Sequence, residues 1–141
     1  MSYLMKILAN LIIAANIVFG CSFSVPQPNN VINEHQPEKL ENFISGGWYV
    51  SPPLSVEEIE QEAIRELVRY QQSPNARKDV PMAPFGFAND EWNVFKSKVE
   101  PGDEIRKITA PSEYWQRLAG CEGYVLVREG LIIWQMITRI N

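Results

Sequence analysis

Histidine is all but missing from this chain. His35 is the only one among 141 residues, and it stands between Asn, Glu, Gln and Pro with nothing nearby to hold it. A Ser-His-Asp or Cys-His catalytic set therefore has no preorganised base. Cysteine is scarce as well. Cys21 and Cys121 are the only two, and their separation removes the closely spaced ligand pairs of most zinc sites. There is no Gly-rich phosphate loop, no dinucleotide fingerprint and no calcium loop, so the sequence asks for no cofactor and no metal. Basic charge is short too: 13 Lys and Arg stand against 17 Asp and Glu, for a net charge of −4. That balance argues against a nucleic-acid partner and against electrostatic docking on anionic lipid. Long apolar runs are limited to one, Ile7 to Phe19. It falls short of the roughly 20 residues a spanning helix needs, and Asn10 and Asn16 interrupt it.

What is present begins with that run. Lys6 precedes it, it closes on Val18-Phe19-Gly20-Cys21, and a polar, proline-bearing stretch comes next. This is the layout of an export signal ending at a cysteine. The closing residues resemble the lipobox of bacterial lipoproteins, although Phe19 stands where that family usually has a small residue. The resemblance implies that Cys21 is lipidated and becomes the mature N-terminus. Relatives with this end usually carry several acyl chains, such as palmitate, which makes attachment firm. Ser22 in the next position implies, in a Gram-negative envelope, the outer membrane facing the periplasm. The alternatives are secretion after ordinary cleavage, and an uncleaved anchor or a chance apolar start. If lipid occupies Cys21, Cys121 has no partner within the chain and reads as a small buried residue. If Cys21 keeps its thiol, the two can pair in an oxidising compartment.

The expected organisation is a signal peptide over 1–20, a lipidated flexible tether over 21–37 and a single domain over 38–141. The tether is rich in Ser, Pro, Asn and Gln, and it buries too little surface to offset its ordering entropy. About 16 such residues span roughly 20–25 Å on average. In the domain, Trp48-Tyr49-Val50 reads as a short strand. A helix is predicted from Ser55 to about Gln72, with Ser55 and Glu58 at capping-box spacing and Val56, Ile59, Ala63, Leu67 and Tyr70 forming an apolar stripe. Its opposite face carries Glu62–Arg65 and Glu66–Arg69, spaced to pair. Gln71 to Asn89 reads as a long loop, in which Phe85 and Phe87 either pin it to the core or mark a binding site. Asp90 to Val99 reads as a second helix capped by Asp90. Asp103 to Ala110 reads as a strand. A short third helix starts at Pro111 or Ser112, with Gly120 placed to end it in the left-handed conformation.

The clearest β signal comes last. Tyr124 to Arg128 and Leu131 to Ile140 flank Glu129-Gly130, the loop of a two-residue hairpin. With Val127 opposite Ile132, Val125, Val127, Ile132, Trp134, Met136 and Ile140 share an apolar face. The other face, with Tyr124, Leu126, Arg128, Ile133, Gln135, Ile137 and Arg139, is mixed: half covered by a helix, or met by a partner. The expected fold is α+β, a small antiparallel sheet built on the C-terminal hairpin with about three helices packed on one side.

Candidate chemistry is thin. Asp90-Glu91 and Asp103-Glu104 are carboxylate pairs of the type glycosidases use, yet helix starts and turns explain both. Phe85, Phe87, Trp92 and Trp115 are candidate binding residues, although tryptophans in a small domain are more often anchors. Pro101-Gly102-Asp103-Glu104, Trp115, Leu118-Ala119-Gly120, Glu122-Gly123-Tyr124, Val127-Arg128-Glu129-Gly130 and Thr138 to Asn141 resemble a group of small uncharacterised bacterial proteins, in which the Cys121 position is more often arginine. That resemblance implies one compact unit and no activity. The leading expectation is a lipid-anchored envelope protein that binds a partner or serves as an accessory. The alternatives are a secreted or periplasmic inhibitor or immunity-type protein acting through the Gln71–Asn89 loop, and a small carboxylate hydrolase.

Overall fold

The computed structural model describes residues 37–141. The expected signal peptide and nearly all of the tether, with Cys21 and His35, lie outside the described residues.

The longest helix starts where the chain can satisfy its own orphan donors. After Pro52-Pro53, Ser55 adopts an extended conformation and α-helical geometry begins at the next residue. The Glu58 N–H donates to Ser55 Oγ at 3.1 Å, and the Ser55 N–H donates to Glu58 Oε2 at 2.7 Å. This is the expected capping box. The helix runs Val56–Gln71 and buries Ile59, Ala63 and Leu67, three positions at helical spacing. We call it α2, because a six-residue helix α1, Leu40–Ser45, precedes it and buries Phe43. Sequence patterning does not reveal α1, which carries no side-chain cap to signal it. Between them lies strand β1, Tyr49–Val50.

The Gln71–Asn89 stretch contains one regular piece, a 3₁₀ turn at Gly86–Ala88. Phe85 pins it to the core, its ring centroid 5.2 Å from Trp92 and 5.8 Å from Tyr124. Helix α3 covers Asn89–Ser97. Its cap is Ala88, which makes no side-chain bond, and Asp90 lies inside the first turn. There the carboxylate faces the positive end of the helix dipole rather than capping it. Strand β2 is Glu104–Thr109, and a short helix α4, Ser112–Gln116, comes after it. The left-handed residue after α4 is Leu118, with φ 57°, and not Gly120. Gly120 is needed for room: a Cβ there would enter the Trp115 ring.

Strands β3, Cys121–Arg128, and β4, Leu131–Ile140, complete a four-stranded antiparallel sheet in the order β1-β2-β3-β4. The chain is α+β, with its sheet built on the C-terminal hairpin as expected. Glu129 and Gly130 both have positive φ, 52° and 78°, the pattern of a type I′ turn, whose twist matches that of the strands. Arg128 opposes Leu131 and Val127 opposes Ile132, also as expected. The ladder then shifts: Leu126 opposes Trp134, which leaves Ile133 as an extra residue in β4. A second shift, between Glu122 and Gly123, leaves Thr138 extra. Each bulge reverses the facing of the residues beyond it. Trp134 and Met136 therefore join Leu126 and Tyr124 on one side, whereas a regular ladder would place them with Val125 and Val127.

The sheet is thus apolar on both faces. One face packs Ile105, Tyr124, Leu126 and Met136 against Ile59 of α2 and Trp92 and Phe95 of α3. The other packs Ile108, Val125, Val127 and Ile132 against Phe43 of α1. Helices therefore cover both sides rather than one. The start of β4 is also tied to the N-terminal end of the described chain, since the Leu40 N–H donates to the Gly130 carbonyl and the Ile132 N–H to that of Glu38.

Candidate functional site

Alternation along β2 and β3 puts Lys107, Thr109, Glu122 and Tyr124 on the face that α2 covers, because Lys107 pairs with Tyr124 and Thr109 with Glu122. Ile59, in the first half of α2, sits deep in the core. Its second half, with Ala63, Leu67 and Tyr70, forms one wall of an open groove of about 390 Å³. Tyr124 and Met136 form the floor, and Phe85 closes one end. The rim is charged: Glu66 on the helix side, and Lys107, Glu122 and Arg139 on the sheet side. The groove is open and its lining is about as polar as it is apolar, and its volume lies in the range of small-ligand sites.

The polar groups around this groove are loosely engaged. The Glu122 side chain is only 16% exposed, yet its neighbours stand off: Lys107 Nζ at 3.7 Å, Arg139 Nη2 at 3.6 Å and Thr109 Oγ1 at 3.5 Å. Arg139 is held in part by Trp115, its guanidinium carbon lying 4.5 Å from the ring centroid. The expected Glu62–Arg65 pair forms at 2.6 Å, but Glu66 makes no ion pair among the described residues. Tyr124 is 5% exposed, and its hydroxyl makes no hydrogen bond among the described residues. Burial, then the carboxylates of Glu66, Glu122 and Glu62, push its pKa up to about 12. The phenol therefore keeps its proton throughout the physiological range.

The four candidate binding residues are scattered rather than assembled. Phe85 lines the groove. Trp92 is fully buried, and its Nε1–H donates to Glu60 Oε1 at 2.9 Å. Phe87 is 58% exposed, with the Arg77 guanidinium 4.9 Å from its ring centroid. Trp115 donates from Nε1 to the Ala110 carbonyl at 3.1 Å and reaches the groove only through Arg139. Glu66, Lys107, Glu122, Tyr124 and Met136 line the groove without having been candidates on sequence grounds. Their signal is partial: the Ala63–Leu67–Tyr70 stripe and the mixed face holding Tyr124 are both visible in the sequence, but the strand pairing that joins them is not.

The Asp103-Glu104 pair is fixed in place, whereas Asp90 and Glu91 are exposed in the first turn of α3. Asp103 accepts from Arg128 Nε and Nη2 at 2.8 and 2.9 Å and from the Glu100 N–H at 2.8 Å. Those hydrogen bonds hold its carboxyl below the usual range, the opposite of what a general acid needs. Glu104 accepts from Arg106 at 2.6 Å. Cys121 is fully buried at the start of β3 and disulfide-bonded; its partner lies outside the described residues. Among those residues, no helix is long and apolar enough to cross a membrane.

The chain was compared with known protein families, curated proteins and solved structures, and it matches none of them.

Proposed function

We propose that the chain is an exported cell-envelope protein, held at a membrane by lipid on Cys21, whose domain acts by binding. The observation that carries the binding half is the groove under α2, floored by Tyr124 and Met136, in which the Tyr124 hydroxyl makes no hydrogen bond among the described residues. The anchoring half rests on Val18-Phe19-Gly20-Cys21 after its apolar run and on the resemblance of that end to a lipobox. Metabolic labelling with an alkyne fatty acid tests it. The chain should label and the Cys21→Ala variant should not. A Cys21→Ala variant that still labels overturns the anchor.

The disulfide at Cys121 favours a second reading, in which Cys21 keeps its thiol, pairs with Cys121 and leaves a periplasmic or secreted protein without lipid. The two readings exclude each other within one chain, because lipid and disulfide would use the same Cys21 sulfur, and the disulfide requires an oxidising compartment. Mass spectrometry of the N-terminal peptide before and after reduction separates them. Acyl mass on that peptide supports the anchor, and release of a linked peptide by reductant supports the disulfide.

A further inference from the structure

We propose that the groove between α2 and the sheet binds a small organic ammonium, a compound with an apolar or aromatic body whose protonated amine lies between Glu66 and the Tyr124 hydroxyl. The proposal rests on the binding reading above and names the class of ligand.

Three observations point to a cation. The first is the supply of unused acceptors. Glu66 has no ion-pair partner among the described residues, and the Tyr124 hydroxyl has no hydrogen-bond partner there. The Tyr124 hydroxyl is open to the groove rather than sealed in the core, so a ligand donor can reach it.

The second is the local field. Glu66 lines the groove with Tyr124 and has no counter-charge among the described residues. Lys107 and Arg139 also border the groove, but both are turned to Glu122, and Arg139 lies against Trp115.

The third is the lining. Tyr70, Phe85 and Tyr124 border the space. Aromatic faces attract ammonium groups, more strongly where water is excluded, and the same rings pack an apolar body.

The test titrates three matched probes into the full chain: phenethylammonium, the neutral 2-phenylethanol and the anionic phenylacetate. Binding is read by amide shifts at Ala63, Leu67, Tyr124 and Met136. Phenethylammonium should shift these residues at the lowest concentration. Glu66→Gln should weaken it about tenfold, the scale of one charge-assisted contact. Glu57→Gln, which removes a charge from the same helix away from the groove, should leave its affinity unchanged. If 2-phenylethanol binds as well as the ammonium and Glu66→Gln has no effect, the ammonium assignment is overturned while the binding groove stands. If none of the three shifts these residues, both are overturned.

Discussion

Arg128 holds Asp103 by both carboxylate oxygens, through Nε at 2.8 Å and Nη2 at 2.9 Å, and so ties the end of β3 to the turn that leads into β2. The Asp103 side chain is 1% exposed, whereas that of Arg128 is 37% exposed. Asp103→Asn should lower stability by roughly 1–2 kcal/mol, less than for a fully buried pair because water reaches the arginine. Since hydrogen bonds from Arg128 depress the folded carboxyl's pKa, this stability is fully present above the unfolded pKa of about 4 and is lost as pH falls through the lower folded value. Urea unfolding of both proteins from pH 7 down to pH 2 should show the gap between them narrowing below about pH 4. A gap constant with pH would deny the pair its role.

Glu60 Oε1 accepts from Trp92 Nε1 at 2.9 Å and from Lys96 Nζ at 2.6 Å, which joins α2 to α3 through one oxygen. Glu60→Gln keeps an acceptor for the indole. Glu60→Ala leaves a buried N–H without one, a loss of about 1–3 kcal/mol. Thermal melts should rank wild type above Glu60→Gln and Glu60→Ala lowest. Equal melts for the two variants would show that the indole bond adds nothing.

Leu118 and Glu129 both sit at positive φ, 57° and 52°, where an L side chain costs about 1–2 kcal/mol. Leu118 is 74% exposed, so little packing offsets that strain. Leu118→Gly should be stabilising by roughly 0.5–1 kcal/mol after the added freedom of the unfolded chain is subtracted. Glu129→Asn should act the same way, because Asn-Gly favours the type I′ turn. Each should raise the melting temperature by a few degrees in calorimetry.

Gly120→Ala should be among the most damaging small substitutions in the domain. The added methyl would collide with the Trp115 ring and push the indole off the Ala110 carbonyl and away from Arg139. A drop in melting temperature, together with altered Trp115 fluorescence, checks this. Restoring stability by adding Trp115→Leu would identify the ring as the obstacle.

Tyr124 gives a spectroscopic prediction. Absorbance titration should show a tyrosine that ionises near pH 12 and disappears in Tyr124→Phe. The folded pKa lies above the unfolded value of about 10, so the contribution to stability is present below pH 10 and lost as pH rises toward 12. A titration unchanged by Tyr124→Phe would contradict the burial and the acidic surroundings assigned to this phenol.

Local signals are legible in the sequence where the chain's own near neighbours decide the structure. Ser55 and Glu58 satisfy each other three residues apart, and Glu129-Gly130 sets the hairpin register. The features that escape a sequence reading depend on distant partners. Nothing near Ile133 marks it as the extra residue of a bulge; the shift is visible only against Leu126 and Val127. It moves Trp134 and Met136 onto the face covered by α2 and α3, where Met136 joins the groove floor. Gly120 resembles a helix terminator because glycine usually is one, but here the distance to Trp115 matters more than φ. The groove escapes for the same reason, since its walls come from α2, β2, β3 and β4 and only the folded sheet brings them together.

The two bulges of β4 have a consequence beyond the facing of side chains. β4 is a border strand of ten residues, Leu131–Ile140, rich in Ile, Trp and Met. A flat border of that composition would template pairing between molecules and drive aggregation. The extra residues Ile133 and Thr138 break the even spacing of its outward N–H and C=O groups, and Glu38 and Leu40 already occupy its first rungs. A second molecule meets no continuous ladder to extend along this border.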